Sequence, residues 1–346
     1  MPIEKKTLTV FSLTLILLVL LAGGVIISLT NGSWEISSSR VIDILLAQCG
    51  LGGKSSPVEI AIIWDGRLPR VLTAALVGFS LAVAGAVMQG IFKNPMASPG
   101  VIGISSGAAL GAVLAIYLGL AAIFPQALPI MAIAGALATL ITVYLIATSA
   151  GRTSIATLLL AGIALNLILG AVTSFVITLS TKEFDIGRVI VTWLMGDLNN
   201  RLWLHVRIVA VTSVTALVLI FSYVRELNIL MLGEEGAANL GVEVGRVRNI
   251  LLLAASIMTG GAIAVAGVIG FIGLVAPHMV RAAVGPDNRR LIPLAGLLGA
   301  IFLVYADLFV RLYIPVDLKV GVLTSLLGGP FFIWQIVRYR NRFEYM

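Results

Sequence analysis

The sequence predicts an all-α polytopic membrane protein with ten transmembrane helices, and three observations carry that class. Of the 346 residues 59% are hydrophobic and only 11% charged, against roughly 25% charged in an ordinary soluble domain. Between Lys93 and Arg152 lie 58 consecutive residues without Asp, Glu, Lys or Arg, and another 29 separate Arg152 from Lys182. Runs of about 18 or more such residues read as membrane spans, because about 20 helical residues cross the hydrocarbon core. The 36 glycines gather with Ala and Ser inside the apolar runs, the composition of closely packed helices in lipid.

Each apolar run is taken as a helix, since a helix satisfies its own backbone groups in lipid. The spans fall near 9–30, 71–91, 103–121, 128–148, 155–179, 203–222, 248–267, 269–283, 291–311 and 319–337, in a single transmembrane domain covering 1–346. The first run, Leu8 to Leu29, follows Lys5 and Lys6 but has no small-x-small cleavage pattern, so it reads as a retained helix and not a signal peptide. Residues 31–70 contain a short amphipathic helix, Ser38 to Ala47, with Ile42, Leu45 and Leu46 on one side. At the end of the second span, GIFKNPMASPGVIGISSGAALGA (90–112) carries Pro95 and Pro99. Asn94, Ser98 and Ser105 are placed there to satisfy the backbone groups that the prolines free. The stretch is either a tight re-entrant turn with a structural role or a part of the substrate's route.

After the sixth span, YVRELNILMLGEEGAANLGVEVGRV (223–247) is broken by Gly233, Gly236 and Gly241 into one or two short helices. They are too short to span and too apolar for a free loop, so this segment needs a partner surface. In the eighth span Pro277 breaks the helix beside His278, which reads as a structural hydrogen-bonder. In the ninth, Asp307 and Arg311 share a helix face. They form either an internal ion pair or, with Arg67 and Arg70 of RLPR, part of a basic rim suited to an acidic partner or an anionic substrate. Ala82-Val83-Ala84-Gly85 recurs as Ala264-Val265-Ala266-Gly267, 182 residues later and in a span of opposite direction. Spans two to five and seven to ten therefore read as an inverted internal repeat.

Ten spans put both termini on one side. With that side inside, the inner segments hold thirteen basic against seven acidic residues and the outer ones ten against nine, which places both termini in the cytoplasm. The net charge of +7 is scattered over segment ends, which argues against a nucleic-acid partner. Cys49 is the only cysteine, which excludes an internal disulfide and a cysteine metal cluster. Gly53-Lys54-Ser55 resembles the end of a phosphate-binding loop, but Gln48 stands where that loop needs Gly. His205 and His278 have no ligand at metal spacing. The residues thus point to no catalytic group, no metal and no cofactor on this chain, and transport remains.

At this point the motifs converge. RLPR (67–70), AGAVMQGIFKNPMASPGVIGISSGA (84–108), LLLAGIALN (158–166), WLMGDL (193–198), LGEEGAANLGV (232–242), GFIGLVAPHMVR (270–281), ADLFVR (306–311) and GVLTSLLGGPFFIW (321–334) follow one another in order. The chain resembles the FecCD/BtuC-like permease subunits of type II ABC importers for iron-siderophore, heme and cobalamin. The resemblance implies a multi-pass protein of the cell membrane, paired with a second permease subunit as a homodimer or a close heterodimer. Two cytoplasmic ATPase subunits would use ATP and Mg, and an extracytoplasmic binding protein would deliver the cargo.

It further implies that Arg67, Arg70 and Arg311 dock glutamates of the binding protein, with Asp307 structural. Residues 226–244 would be the coupling segment. Leu230, Met231, Leu232 and Leu240 form its apolar wedge around Gly233, with Glu234 and Glu235 at the rim. The path would run along the fifth and tenth spans past Phe175, Leu179 and Leu326, with an inner gate near Thr153, Ile155 and Ala156. The expected cargo is an iron chelate, a ferric siderophore, with heme or cobalamin as the alternative. An ion-coupled secondary carrier is the competing class, but its usual mid-membrane acid is missing from the charge-free stretch.

Overall fold

Long runs of Leu, Ile, Val and Ala with no charge can bury their backbone polarity in lipid only by coiling, and nearly every described residue does so. In a computed structural model, residues 3–32, 34–51, 56–149, 152–180 and 184–343 are described. The first half holds α1 (Ile3–Thr30), α2 (Ser38–Gln48), α3 (Pro57–Ile60), a π-helical stretch (Ala61–Arg67), α4 (Leu68–Phe92), α5 (Ile104–Tyr117), α6 (Leu120–Ile123), α7 (Ala127–Ala147) and α8 (Ile155–Ser180). Between α7 and α8, Thr148–Ser149 pairs antiparallel with Arg152–Thr153. The second half holds α9 (Phe184–Leu194), α10 (Trp203–Ser222), α11 (Val224–Leu230), α12 (Glu234–Asn239), α13 (Val244–Ala266), α14 (Ile272–Val284), α15 (Asn288–Tyr313) and α16 (Val320–Phe343). Among the described residues, seven helices are long and apolar enough to cross a membrane, and the shorter apolar helices Ile104–Tyr117, Ile272–Val284 and Val320–Phe331 bring the total to ten.

Several boundaries differ from the sequence expectation. The second span is longer than 71–91, because the π-helical stretch joins Pro57–Ile60 to α4 as one helical run, Pro57–Phe92. The third stops at Tyr117 and not 121, since Gly119 turns left-handed at φ 68°. The eighth begins at Ile272 and not 269, after Gly267 and Phe271 both take positive φ. The tenth helix continues to Phe343. The amphipathic helix α2 forms, but it buries Val41 and Ile44 and leaves Ile42 and Leu46 exposed. It is pinned by a two-pronged Arg40–Glu59 ion pair, Nη2 to Oε2 2.7 Å. α9 was not foreseen. Gly53-Lys54-Ser55 lies outside the described residues.

Burial sorts the bundle into two layers. The apolar windows of the α4 run, α13 and α15 are 78%, 78% and 72% buried, whereas those of α1, α8 and α10 are 11%, 17% and 28% buried and form the rim. α4 packs on α14 and α15, and α13 packs on α5 and α7. In the two repeat units, spans two to five and seven to ten, the first helix of each (α4, α13) therefore sits on the second and third helices of the other, consistent with an inverted repeat. Side-chain-free positions permit this closeness. A Cβ on Gly85 would collide with the Gly273 backbone, and one on Gly78 with that of Gly299.

Candidate functional site

The two ends of the bundle are chemically distinct. At one end, the Arg70 guanidinium grips Asp307 with two prongs, Nε to Oδ2 2.9 Å and Nη2 to Oδ1 2.8 Å, and donates from Nη1 to Asn199 at 2.7 Å. Next to it the Lys319 ammonium meets Asp317 at 2.8 Å and Asp197 at 3.1 Å. Burial opposes both charges of the Asp197–Lys319 pair. Even so, the Asn199 backbone N–H and Lys319 hold the Asp197 carboxyl below its usual range, and Asp317 and Asp197 lift Lys319 above its own. Arg70, Asp197, Asn199, Asp307, Arg311 and Asp317 line a cavity of about 160 Å³ here.

This geometry changes the expected basic rim. Arg67 is only 8% exposed and points inward, donating to the carbonyls of Leu29, Thr30 and Trp34. Arg311 donates to the Ser28 carbonyl at 2.7 Å. Both arginines thus cap the last turn of α1, where open carbonyls and the negative end of the helix dipole attract cations. Asp307 pairs with Arg70 and not with its helix neighbour Arg311, because Arg70 reaches it from α4 across the α4–α15 contact.

Along the bundle, α8 and α16 expose long apolar faces. Leu160, Leu167, Phe175 and Leu179 of α8 are exposed, as are Leu326, Ile333 and Trp334 of α16. α16 touches the rest of the chain chiefly through α14 and α15.

At the other end, the 93–103 turn is held by a residue outside it. Asn166 of α8 donates to the Gly100 and Val101 carbonyls at 2.7 and 3.2 Å and accepts from Ser106 at 2.7 Å. Asn94 caps its own turn by accepting the Met96 N–H at 2.8 Å. Ser98 and Ser105, expected to do this work, have no such bond recorded among the described residues. The break at Pro277 is treated alike. Proline lacks the N–H that would meet the Gly273 carbonyl, and Gln89 of α4 donates to Gly273 and Leu274 at 3.3 Å each while Arg281 orients its amide at 2.7 Å. Pro95 and Pro99 stay within the turn. His278 is half-buried one residue past the break. Thr153 bonds Thr148 hydroxyl to hydroxyl at 2.9 Å, with Ile155 and Ala156 opening α8 just beyond.

The 223–243 segment folds as α11 and α12. Leu230, expected in the apolar wedge, is buried against the bundle because α11 turns it and Leu227 inward. Met231 is half-buried, while Leu232 and Leu240 stand 72% and 63% exposed on either side of α12. Glu234 reaches the nearly buried Arg248 at 2.8 Å, and Glu235 faces outward. Beneath them Asn228 donates to Asp287 at 2.7 Å and accepts from the Asn288 backbone and side-chain amides at 2.9 and 2.8 Å. Gln89, Asn166, Asn228 and Asn288 were not singled out in the sequence. For Gln89 and Asn166 the available signal was an amide in an apolar run, which is costly unless it has a partner; Asn228 and Asn288 sit among charged residues and carried none.

A family model described as the FecCD transport family matches residues 17–338. The chain belongs to that family. One FecCD relative, the cobalamin import system permease of Halobacterium salinarum, is 47% identical over 277 residues, covering 79% of this chain and 72% of the relative. The hemin transport system permease of Yersinia pestis is 43% identical over 295 residues, covering 81% and 84%. A solved structure described as an inward-facing conformation of a putative metal-chelate type ABC transporter superposes with TM-score 0.82 at 31% identity, covering 95% of this chain and 98% of that one. As a FecCD permease the chain is a multi-pass membrane transport subunit with the fold of an ABC importer permease, in a family of transport subunits and not of catalytic enzymes.

Proposed function

We propose that this permease passes a bulky metal chelate across the cell membrane by alternating access, powered by two separate ATPase subunits and loaded by an extracytoplasmic binding protein. The observation that carries the proposal is the pair of uncharged apolar faces on α8 and α16, left open by the rest of the chain. Two such faces, brought together by a second copy of the chain, would make a smooth path past Phe175, Leu179 and Leu326 that offers a large cargo little to stick to. The turn at Thr153, Ile155 and Ala156 would close its cytoplasmic mouth. Leu232 and Leu240 would enter a groove on the ATPase, with Glu235 beside them. The cavity around Arg70 and Arg311 would receive acidic groups of the binding protein, Arg67 supporting it from within. Both termini would lie in the cytoplasm.

A corrinoid is the first cargo to test, because the relative at 47% identity is named for cobalamin. The ferric siderophore expected from the sequence is the second reading, supported by the metal-chelate description of the superposing structure. The test is uptake into proteoliposomes holding the permease, its ATPase and its binding protein, offered cyanocobalamin, hemin and a ferric siderophore in turn. ATP-dependent accumulation of one of them supports the proposal. Accumulation driven by an ion gradient without the ATPase would sink it.

A further inference from the structure

Asn288 is 0% exposed, and among the described residues its Oδ1 has no partner. Burying an unpartnered carbonyl is unfavourable, so this amide is not there for stability alone. Its backbone N–H and Nδ2 both converge on one atom, Oδ1 of Asn228, while Asn228 Nδ2 donates to Asp287, the residue that caps α15. A further contact of 3.4 Å runs from Asn288 Nδ2 to the Met231 sulfur.

We infer that the Asn228–Asp287–Asn288 contact is the joint that passes movement of the 223–243 segment into α15, and through it to the opposite end of the bundle. The inference rests on the proposal that this segment engages an ATPase. The segment is attached by apolar burial of Val224, Leu227, Leu230 and Ala237 and by two polar contacts. Leu227 sits against Gly90 of α4, an apolar contact with no directional preference. Glu234 reaches Arg248 of α13 but is itself 44% exposed, where solvent weakens an ion pair. The asparagine contact is directional and closes on the fully buried Asn288, with three hydrogen bonds whose angles fix how α11 sits on α15. α15 then runs to Tyr313, its ladder interrupted only at Pro293 near its start. The 19 residues from Asn288 to Asp307 span about 28 Å at 1.5 Å per residue. At the far end the same helix carries Asp307, locked to Arg70, and Arg311, locked to α1. A push at Asn228 therefore arrives where the polar cavity lies, along one continuous helix whose ladder lacks a bond only at Pro293.

The test uses the complete transporter and needs no cargo. In a Cys49→Ser background, spin labels at Leu118→Cys and Tyr313→Cys, two exposed positions, report the distance across the far end before and after trapping with ATP and vanadate. We expect a nucleotide-driven shift in the unmutated joint. In Asn228→Ala and Asn288→Ala the shifted population should fall about fivefold or more while the assembled complex keeps hydrolysing ATP. Asn288→Ser, which keeps the backbone donor, should lose less, and Glu234→Gln should lose nothing. If Asn288→Ala does not assemble, Asn288→Ser carries the test by the ratio of its shift to its ATP hydrolysis. A full shift in the asparagine variants at unchanged hydrolysis overturns the joint. Failure of the underlying proposal looks different: Leu232→Asp would then still bind the ATPase and leave hydrolysis intact.

Discussion

Asp307 is 2% exposed, and its two carboxylate oxygens are fully engaged by a guanidinium from another helix. Removing one partner of such a pair strands the other charge. Asp307→Ala should lower unfolding stability in detergent by about 3–5 kcal/mol, seen as an earlier melting transition. Gln89→Leu strips the Gly273 and Leu274 carbonyls of the Gln89 donor and takes the Gln89 Oε1 acceptor from Arg281, costing about 1–3 kcal/mol by the same melt. The neighbouring Asp197–Lys319 pair predicts a pH window. The lowered Asp197 value means its contribution is present above the unfolded value of about 3.9 and is lost as pH falls through the folded one. The raised Lys319 value means its share is complete below about 10.4 and is lost as pH rises through the folded one. The melting difference between wild type and Lys319→Met should therefore stay flat from about pH 5 to 9 and shrink outside it. At this scale the sequence was least legible. RLPR and ADLFVR marked charged residues near one end, but which arginine meets Asp307 depends on a contact across 237 positions, and no local pattern encodes that. Arg67 shows the same limit. Its motif was visible, while its inward turn is set by where the last carbonyls of α1 come to rest.

Helices were read well where charge-free length alone decides them. α7, α8 and α10 begin and end within one residue of the spans drawn from the sequence. Ends set by backbone conformation were misplaced, as at Phe271, whose left-handed φ of 67° delays α14, since no bulky residue advertises that geometry. α9 was passed over because Asp185 and Arg188 interrupt its apolar pattern and its 11 residues are too few to span. The packing of α4 on α14 and α15 rests on touching glycine backbones. Gly78→Val would force the Gly299 backbone away, and a loss of about 1–3 kcal/mol or more, with reduced yield of folded protein, is expected by size-exclusion chromatography. The Ala-Val-Ala-Gly echo was a faint sign of the repeat. Its stronger expression, α4 and α13 each seated on the other half, becomes visible only in three dimensions.

Taken whole, the molecule has a buried middle of α4, α13 and α15 and a periphery in which α8 and α16 turn apolar faces outward. ABC importer permeases work between two forms, and bistability of this kind needs surfaces that are not committed within one chain. Leu232 and Leu240 are such a surface at the Asp287 end. If an ATPase engages this surface as proposed, Leu232→Asp, on an already exposed site, should leave the fold and its melting unchanged while abolishing co-purification with that ATPase and ATP-driven uptake. That the chain is a ten-helix transporter was plain from composition and motif order. Its cargo was not, because the large side chains that α8 and α16 expose are chiefly Leu, Ile, Val and Phe, a lining with little chemical signature.

The π-helical stretch from Ala61 to Arg67 has a consequence for how the chain tolerates change. A wide turn holds one residue more than an α-helical path between the same two points, and this one frees the Trp64 carbonyl for the Trp203 indole at 3.1 Å. Deleting a single residue within it would restore ordinary winding between the same two points. Glu59 would then stay opposite Arg40 and α2 would keep its mooring, while the Trp64 carbonyl would return to the helix ladder and leave the Trp203 indole without its acceptor. The stretch works as a buffer, one surplus residue taken up locally without turning what lies on either side.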